Sequence, residues 1–167
     1  VPGLGGVFTI TMSEADTHCG SHFRNPDDVT CPRCKGKPIT DLVVDVNAAI
    51  CEGMLAANPD TQFIVNNTAW ELLDHPLETV VPRLPKATRL VIWSEKFVGF
   101  EQGGLKLKVN EYSISHPGPG RQALDFWAAA KKAGLKADAK LQVNDCWEIC
   151  AVPYLPAMDL VAEHAAN

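Results

Sequence analysis

The apolar positions of this chain change their period along its length, and each change marks an element. Residues 6–12, GVFTITM, are β-branched and aromatic and follow a glycine-rich start, which predicts a strand. In PITDLVVDVNAAICEGMLAANPD, Leu42, Val46, Ala49 and Ile50 recur at three- and four-residue intervals, the spacing of one helix face. Thr40 or Asp41 would cap that helix and Asn58-Pro59-Asp60 would end it. QFIVNNTAW begins as a nearly unbroken apolar run, as buried parallel strands do, and predicts a second strand. A proline-rich loop leads to a third, TRLVIWSEKF. FEQGGLKLKVNEYSISHPGPG is punctuated by Gly and Pro and reads as a long excursion with little fixed structure. RQALDFWAAAKKAGL predicts an amphipathic helix ending at Gly134, KADAKLQVN a fourth strand and LPAMDLVAEHAAN the start of a last helix.

Strands alternating with helices imply parallel βαβ units and an α/β fold. Part of a (β/α)8 barrel and a small doubly wound sheet both fit four strands. The strand ends favour the barrel. SEAD, NNTAWE, WSEKF and NDCWE are polar and aromatic, and barrels take their catalytic side chains from the C-terminal ends of several strands. A dinucleotide-binding sheet would carry its glycine fingerprint after the first strand; here the glycines precede it. The expected architecture is a partial (β/α)8 TIM-type barrel, its C-terminal half, with about four parallel strands. Residues 1–167 form one domain on this reading, with a Cys-rich insertion at 17–38. A whole barrel takes roughly 200 residues or more, so the missing strands are expected from a longer chain.

Composition narrows the partners. The 167 residues carry a net charge of −5 with scattered lysines, giving no basic stripe for nucleic acid. No apolar run is long enough to span a membrane, and no signal-peptide pattern is visible.

Glu14, Asp16, Glu71, Glu95, Asp145 and Glu148 fall at or just after strand ends, near Trp70, Trp93 and Trp147. Indole faces stack on the apolar faces of sugar rings, while carboxylates bond hydroxyls or do acid–base work. Glycosidic cleavage needs one carboxyl kept protonated, and burial against an aromatic ring achieves that. Glu148 beside Trp147 and Glu14 beside the first strand are the expected acid–base pair, with Asp16 orienting the substrate or its neighbour. Trp70, Trp93, Trp147, Asn144 and Glu95 would line the sugar site. Taken singly, each acid also reads as a helix cap or a solvated loop charge.

The stretch THCGSHFRNPDDVTCPRCKGKP holds the other constellation. Cys31-Pro32-Arg33-Cys34 is a CxxC turn, and Cys19 with His22 supplies a second pair at CxxH spacing. Zinc takes four such ligands tetrahedrally in a closed structural site. His18 is a substitute for His22. A disulfide with a spare cysteine is a rival, and so is a redox CxxC, although that motif normally opens a helix directly after a strand. A closed site has no position for water, so the knot would staple the loop that carries Glu14 and Asp16. Cys51, Cys146 and Cys150 have apolar neighbours and read as core.

The order of strand, SEAD, a cysteine cluster ending CPRC, a helix containing DLVVDVNAAI and then NPDTQFIV resembles the catalytic barrel of bacterial glycoside hydrolases of a formerly unknown-function type, related to family-20-type hexosaminidases. AKLQVNDCWEICAVPYLPAMDLVAEH is similar to them in its Asn-x-x-Trp-Glu strand end and VPYLP turn. The resemblance covers almost the whole chain. It implies a glycan substrate, N-acetylhexosamine-containing in some relatives, paired-carboxylate chemistry without an organic cofactor, and a secreted or periplasmic setting. Family-20-type enzymes use an adjacent Asp-Glu pair; here Glu14-Ala15-Asp16 is spaced and reversed. The alternative is a non-catalytic carbohydrate-binding or scaffolding α/β domain stapled by structural zinc.

Overall fold

The computed structural model describes residues 3–13, 15–22, 25–110, 112–143 and 157–167. Its elements run β1 (Gly6–Ile10), α1 (Ile39–Ala57), β2 (Gln62–Asn66), α2 (Pro76–Thr79), β3 (Thr88–Trp93), β4 (Gly99–Gln102), β5 (Leu105–Lys108), α3 (Arg121–Lys132), β6 (Lys136–Lys140) and α4 (Met158–Ala166). The fold is mixed α/β around a four-stranded parallel sheet of order β1-β2-β3-β6. The four strands expected from the sequence are thus present, parallel and neighbours in chain order. β1 and β6 stand at the two ends of that order, so the described residues form an open sheet.

The excursion after β3 needs correcting. It carries an antiparallel hairpin, β4 with β5, in which Gln102 pairs with Leu105. Gly103 and Gly104 have φ of 59° and 78°, the doubly left-handed geometry of a two-residue hairpin turn. The glycine pair closes a hairpin there, where it was expected to mark unstructured chain.

Contacts gather into two compact units, Val1–Val91 with Ala128–Asp138, and Ile92–Trp127 with Ala139–Asn167. In the first, the helical period of residues 39–57 produces α1, with Leu42, Val43, Val44 and Cys51 buried. The helix starts earlier than expected, its N-cap lying two residues before Thr40 and three before Asp41. Pro38 is its N-cap, with φ of −55° and no side-chain cap, and the first-turn Asp41 instead pairs with Arg83 at 2.6 Å. Asn58 ends it, as the sequence indicates.

Register places Thr9 opposite Val65, and Val65 opposite Leu90. This face of the sheet is buried. α1 reaches it through Asn47, which is fully buried. The Asn47 amide donates to Thr11 Oγ1 at 3.0 Å and to the Val43 carbonyl at 2.8 Å, and its Oδ1 accepts from Thr9 Oγ1 at 3.2 Å. Asn47→Ala leaves the buried Thr11 hydroxyl without this donor and opens a hole, so it is expected to cost about 2–3 kcal/mol in urea unfolding. A change of midpoint below a few tenths of that would show the network to be dispensable.

The opposite face is thinly covered. Phe8, Ile64 and Arg89 form one row across it, and Ile10, Asn66 and Val91 the next. Phe8 is 52% exposed and Ile10 38%. Arg89 and Asp138 pair at 2.7 Å. Parallel sheets are ordinarily covered on both faces; on this one Asn66 is buried, but Phe8 and Ile10 stay exposed among the described residues.

In the second unit α4 is fixed by its end. His164 Nε2 lies 2.8 Å from Ser94 Oγ. That hydroxyl donates to the Lys140 carbonyl at 2.9 Å, so the imidazole N–H is the donor between the two. Asn167 Nδ2 donates to the Gly118 carbonyl at 2.9 Å. Burial holds the His164 pKa below its ordinary value of 6.5. The folded state therefore binds fewer protons than the unfolded one just below that pH. The stability contributed by neutral His164 is complete above about 6.5 and falls away as pH drops through the folded pKa. Urea midpoints at about pH 7.5 and about pH 5.5 should differ less in His164→Gln than in the parent; an equal difference would assign the pH dependence to other groups.

Candidate metal centre and strand-end carboxylates

In the first unit, the chain leaving β1 is folded back on itself by small side chains. Thr17 Oγ1 donates to the Thr11 carbonyl at 2.9 Å, and the His22 N–H donates to the Ser13 carbonyl at 3.1 Å. The Ser21 hydroxyl accepts from the His18 N–H at 3.1 Å. Further on, the N–H groups of Cys34 and Lys35 donate to the Cys31 carbonyl at 3.0 and 2.8 Å, the tight turn that CxxC spacing requires. These two folds bring Cys19, Cys31 and Cys34 together. Their three Sγ atoms lie within 4.8 Å of one another, close enough to bind one metal ion.

The electrostatics suit a thiolate ligand set. The Cys31 thiol is pulled below its ordinary pKa, first by the Arg33 N–H, then by Cys19 and the Cys34 N–H. Cys19 is pushed up to about 11, chiefly because it shares hydrogen bonds with Cys34 and Cys31. Cys31 is thus the more readily ionised of the two, while Cys19 keeps its proton until a cation displaces it.

The histidines are placed otherwise than the CxxH spacing suggests. His22 is not in the cluster; it has φ of 62° and its Nε2 lies 2.9 Å from Asp16 Oδ1. Asp16, expected to orient a substrate, is an exposed partner of that ring. His18 is no substitute, because its Nδ1 accepts the Gly20 N–H at 3.0 Å, which leaves the ring proton on Nε2 and no free lone pair for a metal. Burial lowers its pKa, the Thr11 backbone partly opposing. Spacing correctly joins Cys19 to the CxxC turn, but it does not reveal which way an imidazole faces. The cysteine loop also walls a cavity of about 650 Å³, floored by Met12, Ile39 and Leu73 and edged by Asn25, Lys37 and Asp74, a size typical of small-ligand pockets.

In the second unit, the chain leaving β3 is buried throughout: Trp93, Ser94, Glu95 and Lys96 are each no more than 6% exposed. Glu95, at 0%, is the single buried Asp or Glu among the described residues. Trp93 meets Tyr112 edge-on with ring centroids 4.4 Å apart. Lys140 Nζ sits 3.9 Å from the Trp93 centroid and 4.6 Å from that of Tyr112, a geometry in which ring faces attract the cation. Lys96 and Lys108 lie over Phe97 at 5.3 and 4.7 Å. Gly118 to Gly120 runs against this turn, with the Gly120 N–H donating to the Ser94 carbonyl at 2.7 Å.

Among the residues expected to line a sugar site, Trp70 is fully buried and belongs to the core. Trp93 is 2% exposed, its ring occupied by Tyr112 and Lys140. Neither offers an open face for stacking. Glu71 is half-buried just past β2. Glu14, Asn144, Asp145, Trp147 and Glu148 lie outside the described residues. Lys140 and Tyr112 were not among the residues singled out in the sequence; a lone lysine on a strand and a tyrosine in a loop carry no motif. Comparison with protein-family models, with curated proteins and with solved structures finds no match to this chain.

Proposed function

We propose that this chain is the sugar-processing part of a glycoside hydrolase of the (β/α)8 type, acting on an N-acetylhexosamine-containing glycan through carboxyl groups at the C-terminal ends of its parallel strands. The observation that carries the reading is the complete burial of Glu95 at the end of β3. Removing an acid from water is costly and is found disproportionately at functional sites. The thinly covered face bearing Phe8 and Ile10 adds support, since a barrel interior would supply that cover. Of a pair of carboxyls, one protonates the leaving glycosidic oxygen and the other attacks the anomeric carbon or activates water. Glu14 and Glu148 are proposed for that pair, with Glu95 as the third acid. Cys19, Cys31 and Cys34 would hold a structural zinc that pins the loop following β1. The three soft sulfurs fit that ion.

The test is hydrolysis of a panel of aryl glycosides, N-acetylglucosaminides included, by the full-length protein and by Glu14→Gln and Glu148→Gln. Turnover that collapses in either variant is expected. No turnover of any glycoside, with no glycan binding either, would sink the proposal. A second reading is a non-catalytic carbohydrate-binding or scaffolding domain. Its scaffolding form is the one favoured by the burial of Trp70 and Trp93, which leaves those indoles no face for a sugar, and it is recognised by the absence of turnover, with or without glycan binding.

A further inference from the structure

We infer that the cysteine centre holds its metal through three thiolates and keeps a fourth position for a donor from outside the chain, a water or a small thiol. This rests on the reading of the cluster as a metal centre, and it departs from a closed staple. Zinc–sulfur bonds of about 2.3 Å put the sulfurs of a tetrahedral site about 3.8 Å apart, within the 4.8 Å that spans Cys19, Cys31 and Cys34. Among the described residues no fourth His, Cys, Asp or Glu shares that radius.

The two imidazoles nearest in sequence are engaged elsewhere. Bringing His22 in would give up its 2.9 Å contact with Asp16. Bringing His18 in would break its bond from the Gly20 N–H. It would also disturb a packed corner, where even a Cβ on Gly20 would lie 2.5 Å from Ile39 Cδ1. Cys51 is buried within α1.

Sites with four protein ligands are structural and closed; sites with three keep a position for water or another donor. Three thiolates around a divalent ion leave a net charge of about −1 and a Lewis-acidic vacancy. The sulfur set selects zinc, cadmium or cobalt over magnesium or calcium. Each new sulfur–metal bond replaces a sulfur–hydrogen bond where the thiol was protonated, the proton passes to solvent, and no electrons are transferred.

The experiment is cobalt(II) loading of the whole chain, reduced with a phosphine rather than a thiol. It is followed by visible absorption and by metal analysis. The expected result is one cobalt per chain, ligand-field bands that shift as 2-mercaptoethanol or imidazole is titrated in, and the same spectrum in His18→Ala and His22→Ala. Bands indifferent to added thiol, and altered in either histidine variant, in Glu14→Gln, in Cys146→Ser or in Cys150→Ser, overturn the inference, because the chain then supplies the fourth ligand. Failure of the reduced parent to take up any cobalt ends the metal reading itself, and the open position with it.

Discussion

Glu95→Gln is expected to lower turnover of an aryl glycoside by about 10²- to 10³-fold, the share of a preorganised charge acting beside the acid–base pair. The substitution keeps the volume and planarity of the side chain, so its effect reports the lost proton or charge rather than a hole. Glu95 is fully buried in the turn that follows β3, in a segment where Trp93 and Lys96 are also withdrawn from water. In such surroundings an electrostatic interaction is worth several times its value in water. Glu71→Gln, past the end of the neighbouring strand and half-buried, is the control and should leave the rate near that of the parent. The two measurements to set side by side are turnover and the urea midpoint. If Glu95→Gln shifts the midpoint and leaves turnover alone, Glu95 is a structural acid and the sugar-processing proposal loses the observation that carries it.

The second large effect is removal of the metal. With free metal at a thousand times its dissociation constant, binding to the folded state alone contributes about 4 kcal/mol. A chelator should therefore lower the unfolding temperature, and Cys31→Ser or Cys34→Ser should make the protein indifferent to the chelator. Cys51→Ser, in a buried position on α1 away from the cluster, should retain the chelator response. Metal affinity should weaken as pH falls, because every ligand must be deprotonated to bind. The Cys19 thiol, held at about 11, makes that dependence steep. The local signature is faster amide exchange between Asn25 and Pro38 on chelation, with β2 and β3 unchanged. A chelator without effect on either measurement would show that nothing is bound at the cluster.

What the sequence made legible is what rests on periodicity. α1 is readable because Leu42, Val46, Ala49 and Ile50 repeat at helical intervals, and β2 and β3 because apolar β-branched runs suit a parallel sheet. The convergence of Cys19 with the CxxC turn was readable from spacing. What escaped depends on direction rather than order. His22 sits at a left-handed φ and turns to Asp16, which no spacing rule encodes. Trp70 lies at a strand exit, where an indole is equally suited to a sugar or to the core, and the core takes it. The Gly103-Gly104 pair suits either a breaker or a hairpin turn, and only the pairing of Gln102 with Leu105 and of Glu101 with Lys106 decides. The role of Lys140 comes from β6 being placed beside β3, a tertiary fact.

The tight passage of residues 118–120 along the β3 exit translates into a map of mutational tolerance. A Cβ at Gly118 would lie 2.4 Å from His164 Nε2 and 2.7 Å from the Ser94 carbonyl oxygen. At Gly120 it would lie 2.3 Å from the Lys96 carbonyl oxygen. Both obstacles include backbone, which cannot swing aside as a side-chain end can. In a saturation library read out by folding, these two positions should accept nothing but glycine, whereas Gly53 and Gly99, which meet no atom within 4 Å, should accept alanine freely. The turn bearing Glu95 is then held from outside by two residues that have no side chain at all.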